Sequence, residues 1–290
     1  MSNRQYYSDR NNKTNSKLSL SELKRFFIIS YGELESTGYF QKYFGYYCID
    51  QDWVTGEIKI NTEDYLYTLL KKDNLVPIRD NIVNYTEDTL FDMIEFYHDH
   101  CSKPLEGDFH SWGNCGWHYN KFDDAKGREE FRKMINPHLK KYKEGFEISE
   151  KGEILRLPES GFELLMKTPV PSKDEENINE KIENAKSKYR KHNSTLADRK
   201  EAVRELADIL EFLRPKAQDL LKTKDENDLF NVIQNFGVRH HNQMQKVNYD
   251  KNIWYSWMFY FFLSTIYAVL KLIEKNEKKL GTEEQKKRAG

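Results

Sequence analysis

The sequence predicts a mostly α fold: an irregular α-helical N-terminal domain with a small β-hairpin, followed by a C-terminal up-and-down four-helix bundle. Three observations point there. Apolar residues recur at helical spacing through most of the chain, as in Leu196, Val203, Leu206, Ala207, Leu210 and Leu213. The stretch FEISEKGEILRL alternates apolar and polar residues around Glu150-Lys151-Gly152, which predicts a hairpin near 146–157. Beyond Pro158, Pro169 and Pro171 the pattern is helical only, so a domain boundary is expected near Pro171.

Composition sets the function classes. The chain has 290 residues, enough for two cores. Its net charge of −1 carries no polyanion-binding footprint. Three cysteines, Cys48, Cys101 and Cys115, make no even disulfide framework and imply a reducing, cytoplasmic setting. The polar stretch 1–18 reads as a disordered arm without the apolar core of a signal peptide.

Residues 19–172 form the expected aromatic-rich α domain. Ser21 and Glu22 open a helix over 19–30. Short helical pieces broken by Gly32, Gly38 and Gly45 follow. Asn61 or Thr62 opens the next helix, with Tyr65, Leu66, Leu69 and Leu70 as its buried stripe. Thr86 caps a helix running to Cys101, whose inner face carries Leu90, Phe91, Ile94 and Tyr97 or His98. A loop rich in Gly and Trp then leads to a helix over 124–143, facing inward through Phe131, Met134 and Ile135.

The bundle is expected over 173–278: helices over 175–191, from Ser194 or Thr195 past Leu213, over 225–236, and over the apolar run from Ile253 to Leu270. That last run is at the lower limit of a membrane span. Its Tyr255, Ser256, Tyr260, Ser264, Thr265 and Tyr267 favour a buried bundle helix, so no membrane is expected. Residues 279–290 form a charged tail.

Two clusters carry candidate chemistry. Arg239, His240, His241 and Asn242 follow the helix-ending Gly237. A guanidinium would clamp a phosphate there, and an imidazole titrating near neutral pH would move the proton in phosphodiester cleavage. The second cluster is His110, Cys115 and His118, with Cys101 or His98 to complete a tetrahedral zinc set. A ring-rich loop in which these His and Cys are incidental is the preferred reading of it. Cys-His nucleophilic chemistry would need an oxyanion-binding turn that the sequence does not offer, and Cys48 has no neighbour that recommends it for that role.

A helical bundle with an Arg-polar turn just before its last helix resembles the HEPN superfamily, found in bacterial toxins and abortive-infection proteins. The resemblance covers roughly 173–275. It implies a dimerising bundle and metal-independent ribonuclease chemistry, from an Arg, a polar residue and a His four to six positions further on. Arg239 matches the arginine and His240 the polar position. Met244, Gln245 and Lys246 stand where the family histidine belongs, so His240 or His241 would take its role. The expected function is thus a defence- or toxin-type endoribonuclease of bacteria, homodimeric, cytoplasmic, acting on RNA and needing no cofactor. The alternatives are a non-catalytic bundle that senses a partner protein or phage trigger, and a membrane-acting effector.

Overall fold

The computed structural model describes residues 17–218, 220 and 250–288. The described backbone is mostly helical, with small two-stranded antiparallel sheets, and falls into two compact units, Met1–Leu157 and Pro158–Gly290. The division thus comes before Pro158 and not near Pro171. The proline-rich stretch belongs to the second unit, where Met166 is buried and Val170 packs on the core.

In chain order the first unit runs α1 (Leu20–Ser36), α2 (Gln41–Phe44), β1 (Tyr46–Cys48), β2 (Asp52–Val54), α3 (Thr62–Leu70), α4 (Ile78–Asn81), α5 (Glu87–Asp99), β3 (Lys103–His110), β4 (Gly116–Asp123), α6 (Asp124–Leu139), β5 (Phe146–Ile148) and β6 (Ile154–Arg156). α1 starts at a capping box: Ser19 Oγ accepts the Glu22 N–H while the Glu22 carboxylate accepts the Ser19 N–H. Thr86 caps α5 by accepting the Thr89 N–H. α5 is buried through Leu90, Phe91, Met93, Ile94, Phe96 and Tyr97, more than one face of a helix. It therefore forms the centre of the unit, with α1 and α6 packed on it. α3 contributes only Leu66 to the buried core; Leu69, expected inside, lies 52% exposed.

Leu18, placed in the expected arm, is held in the first unit, since its N–H donates to the Lys141 carbonyl (2.8 Å). The expected hairpin is β5–β6, paired Phe146↔Arg156 to Ile148↔Ile154. Asn136 pins β5 by exchanging two hydrogen bonds with the Ile148 backbone, and the Glu95 carboxylate pins β6 by accepting the Ile154 N–H. Gly152, at φ +89°, closes the turn where a Cβ would come within 2.8 Å of Asp99 and 2.9 Å of His98.

Two further hairpins were not expected. β1–β2 occupies a stretch whose glycines and aromatics read as short helices, and β3–β4 fills the loop rich in Gly and Trp. β3–β4 contains Gly107 and a register shift beside Glu106, so its alternation is broken in sequence, and the three-residue strands β1 and β2 are too short to show one.

The second unit contains α7 (Glu163–Lys167), a π-turn at Glu175–Asn179, α8 (Glu180–Arg190), α9 (Leu196–Gln218) and α10 (Lys251–Arg288). α8, α9 and α10 share one core, with Ile182, Val203, Leu206, Leu210, Phe259, Phe262 and Ile266 buried. α10 continues through most of the expected tail. It is long and apolar enough to cross a membrane, yet buries Met258, Phe259, Phe262, Leu263 and Ile266 in the unit's own core. The expected helix over 225–236 lies outside the described residues.

Buried imidazoles make the first unit acid-sensitive. His98 Nε2 accepts from Arg132 Nη1 (3.1 Å), so its proton sits on Nδ1 and is donated to Asp99 Oδ1 (3.1 Å). Burial holds the His98 pKa below the ordinary imidazole value; Asp99 opposes this, and Arg132 and Arg128 add to it. Burial also lowers His100 and His138. The unfolded chain therefore binds more protons below pH about 6.5, and stability falls as the pH drops from there toward the folded-state values. Glu95, raised by burial, works in the opposite direction. Urea midpoints of metal-free, reduced protein should fall between pH 7.5 and 5.5, and a midpoint that rises over this range would contradict the assignment.

Candidate metal centre

The two unexpected hairpins bring four metal-binding side chains together. In β1 successive side chains alternate, so Tyr46 and Cys48 share one face and Tyr47 takes the other. Cys48 is buried, while Tyr47 and its cross-strand partner Trp53 are each 58% exposed. β3 and β4 pair Asp108↔His118, Phe109↔Trp117 and His110↔Gly116. His110 and His118 thus lie on one face of that hairpin, and Phe109 and Trp117 on its other, exposed face. Cys115 follows the single 3-10 turn Trp112–Asn114 at the hairpin's tip. Gly113, at φ +59°, lets this tip approach the first hairpin, since a Cβ there would lie 2.6 Å from the Ile49 side chain.

One ligand atom from each of Cys48, His110, Cys115 and His118 lies within 4.8 Å of all the others. Cys48 Sγ is 3.7 Å from His110 Nδ1. In a tetrahedral zinc site, Zn–S of ~2.3 Å and Zn–N of ~2.0–2.1 Å separate neighbouring S and N atoms by ~3.6 Å. The Cys48–His110 spacing is that of one ion's coordination edge, within a donor set that spans up to 4.8 Å.

The surroundings support the same assignment. The Asp50 carboxylate lies 3.3 Å from His110 Nε2, an arrangement that would orient the ring with Nδ1 toward Cys48 in a metal-bound site. The Ile49 N–H donates to Cys115 Sγ (3.2 Å), which ties the tip of the second hairpin to the turn of the first. The Tyr46 ring stacks on the His118 ring at 4.3 Å and fixes its plane. His118 Nε2 is buried and without a hydrogen-bond partner, a costly state for an imidazole nitrogen unless it binds a ligand. Two soft sulfurs and two imidazoles form a donor set suited to zinc.

This set corrects the expected one in a single member. Cys101 is fully buried at the end of α5 and directs its Sγ to the Gly127 carbonyl (3.5 Å). Burial pushes its thiol up to about 12, which keeps it protonated. His98 is likewise engaged with Arg132 and Asp99. Cys48 is the fourth member. The sequence signal for it was slight: YYC before a turn at Ile49-Asp50, with no ligand-type spacing to the Cys115-x2-His118 pair. The other expected cluster, Arg239, His240, His241 and Asn242, lies outside the described residues.

No protein-family model, curated protein or solved structure matches this chain.

Proposed function

We propose that this is a zinc-carrying binding protein, whose first unit is a recognition module closed by a structural zinc. The supporting observation is the convergence of Cys48, His110, Cys115 and His118 from two separate hairpins. Four protein donors fill a tetrahedral ion and leave no position for substrate, which suits fastening and not Lewis-acid catalysis. Each hairpin alone is too small to be stable. A metal between them would hold both, with the ring pairs Tyr47–Trp53 and Phe109–Trp117 outward. Exposed aromatic rings of this kind are enriched at recognition surfaces. The test is metal content of the full-length protein, purified in reductant without chelator. One zinc per chain is expected, and a chain that holds none after incubation with zinc salt would rule the module out.

A second reading follows from the C-terminal sequence. There the chain would act on RNA as a HEPN-like, defence-type endoribonuclease, with Arg239 as phosphate clamp and His240 or His241 as acid–base. The position of these residues in the sequence, shortly before the core helix α10, favours it. Total RNA incubated with the protein and with its Arg239→Ala and His241→Ala variants tests it. Cleavage by wild type alone is expected, and equal products from all three would sink the reading.

A further inference from the structure

We propose that Cys48 and Cys115 form a peroxide-responsive thiol pair, through which oxidation exchanges the zinc link between the hairpins for a disulfide. This rests on the zinc reading above. The Sγ atoms of Cys48 and Cys115 lie within 4.8 Å of each other, one on each hairpin. Zinc ligation would keep both sulfurs as thiolates, the form that attacks a peroxide oxygen. Their access differs: Cys115 is partly exposed at the β3–β4 tip, whereas Cys48 is buried behind it. This order suits an attacked sulfur and a resolving one. The third cysteine stays outside the reaction, because Cys101 is fully buried, protonated and engaged with Gly127.

The chemistry balances with a hydroperoxide as oxidant. The Cys115 thiolate takes one oxygen from hydrogen peroxide to give a sulfenic acid and hydroxide. The Cys48 thiolate then attacks the Cys115 sulfur, the S–S bond forms and a second hydroxide leaves. Two protons convert the hydroxides to water. In sum, two thiolates, one peroxide and two protons give one disulfide and two waters, with the peroxide reduced and the sulfurs oxidised. His110 and His118 alone are too few donors to retain the ion, which is released. A thiol reductant and fresh zinc reverse the exchange.

The test uses the zinc-loaded, full-length chain and its Cys101→Ser variant, titrated with hydrogen peroxide. Released zinc is read with a chromogenic chelator, free thiols are counted, and disulfides are mapped by mass spectrometry of non-reduced peptides. Both proteins should release one zinc per chain as two thiols disappear, and yield one cross-linked peptide joining Cys48 to Cys115. Dithiothreitol with zinc should restore the starting state. Zinc retained through excess peroxide, or a cross-link that contains Cys101, would overturn the switch and leave the metal site standing. A chain that binds no zinc at all would remove the metal site and the switch together.

Discussion

Replacing Cys48 by serine should abolish stoichiometric zinc binding, whereas Cys101→Ser should leave one zinc per chain. The contrast follows from position. Cys48 Sγ stands one coordination edge from His110 Nδ1, and Cys101 Sγ is turned to the Gly127 carbonyl, away from the four-donor cluster. A serine hydroxyl is a poor zinc donor at neutral pH, and three remaining donors open the site to water. The loss should exceed the ~10–100-fold expected from removing a supporting carboxylate. Asp50→Asn is predicted to fall within that smaller range, because it leaves all four donors and removes only the charge that orients His110. Chelator competition on the three variants measures all of this. Metal linkage carries the difference into stability: at free zinc ~1,000 times Kd, a wild-type site adds ~4 kcal/mol to the folded state. Cys48→Ser forfeits that gain, so adding zinc should raise the melting temperature of wild type and Cys101→Ser but not that of Cys48→Ser. Wild-type zinc content in Cys48→Ser, or none in Cys101→Ser, would reject the four-donor assignment.

Phe259→Ala should cost the second unit ~3–5 kcal/mol, the range for truncating a fully buried phenylalanine. Its ring is fully buried and stacks on Tyr189 with centroids 3.9 Å apart and planes within 9°. Alanine would leave a cavity where α10 meets α8, and Tyr189 would lose its partner face. Against a total stability of ~5–15 kcal/mol for a domain, this is a large fraction. Ile253→Ala, on the same helix but 65% exposed, should change stability by less than ~0.5 kcal/mol. Hydrogen exchange of peptides from α8, α9 and α10 reads this unit separately from the first. Equal protection in the two variants would mean that Phe259 is not a core residue.

The helices were legible because their information is local. Ser19-x-x-Glu22 and Thr86-x-x-Thr89 satisfy the first backbone donors of α1 and α5 within one turn. Val203, Leu206, Ala207, Leu210 and Leu213 repeat at the helical period, and all are buried. The β5–β6 hairpin was legible for the same reason, with its turn at Glu150-Lys151-Gly152 between alternating strands.

Composition and local pattern were thus enough to establish a mostly α chain and its principal helices, and to single out His110, Cys115 and His118 as ligand-type residues, three of the four that the proposed metal site uses. Tertiary structure decided the fourth. Nothing in the spacing of Cys48, Cys101 and Cys115 says which cysteine reaches the histidines, because the answer depends on long-range packing and on strand register. A one-residue slip in β1 would turn Cys48 outward and Tyr47 inward. The end of α5 carries Cys101 into the core beside Gly127, while the β1–β2 turn carries Cys48, with Asp50 beside it, to the tip of the second hairpin. Ligand type is a property of the residue. Ligand membership is a property of the fold, since only the packed chain sets which side chains lie within a single ion's coordination radius.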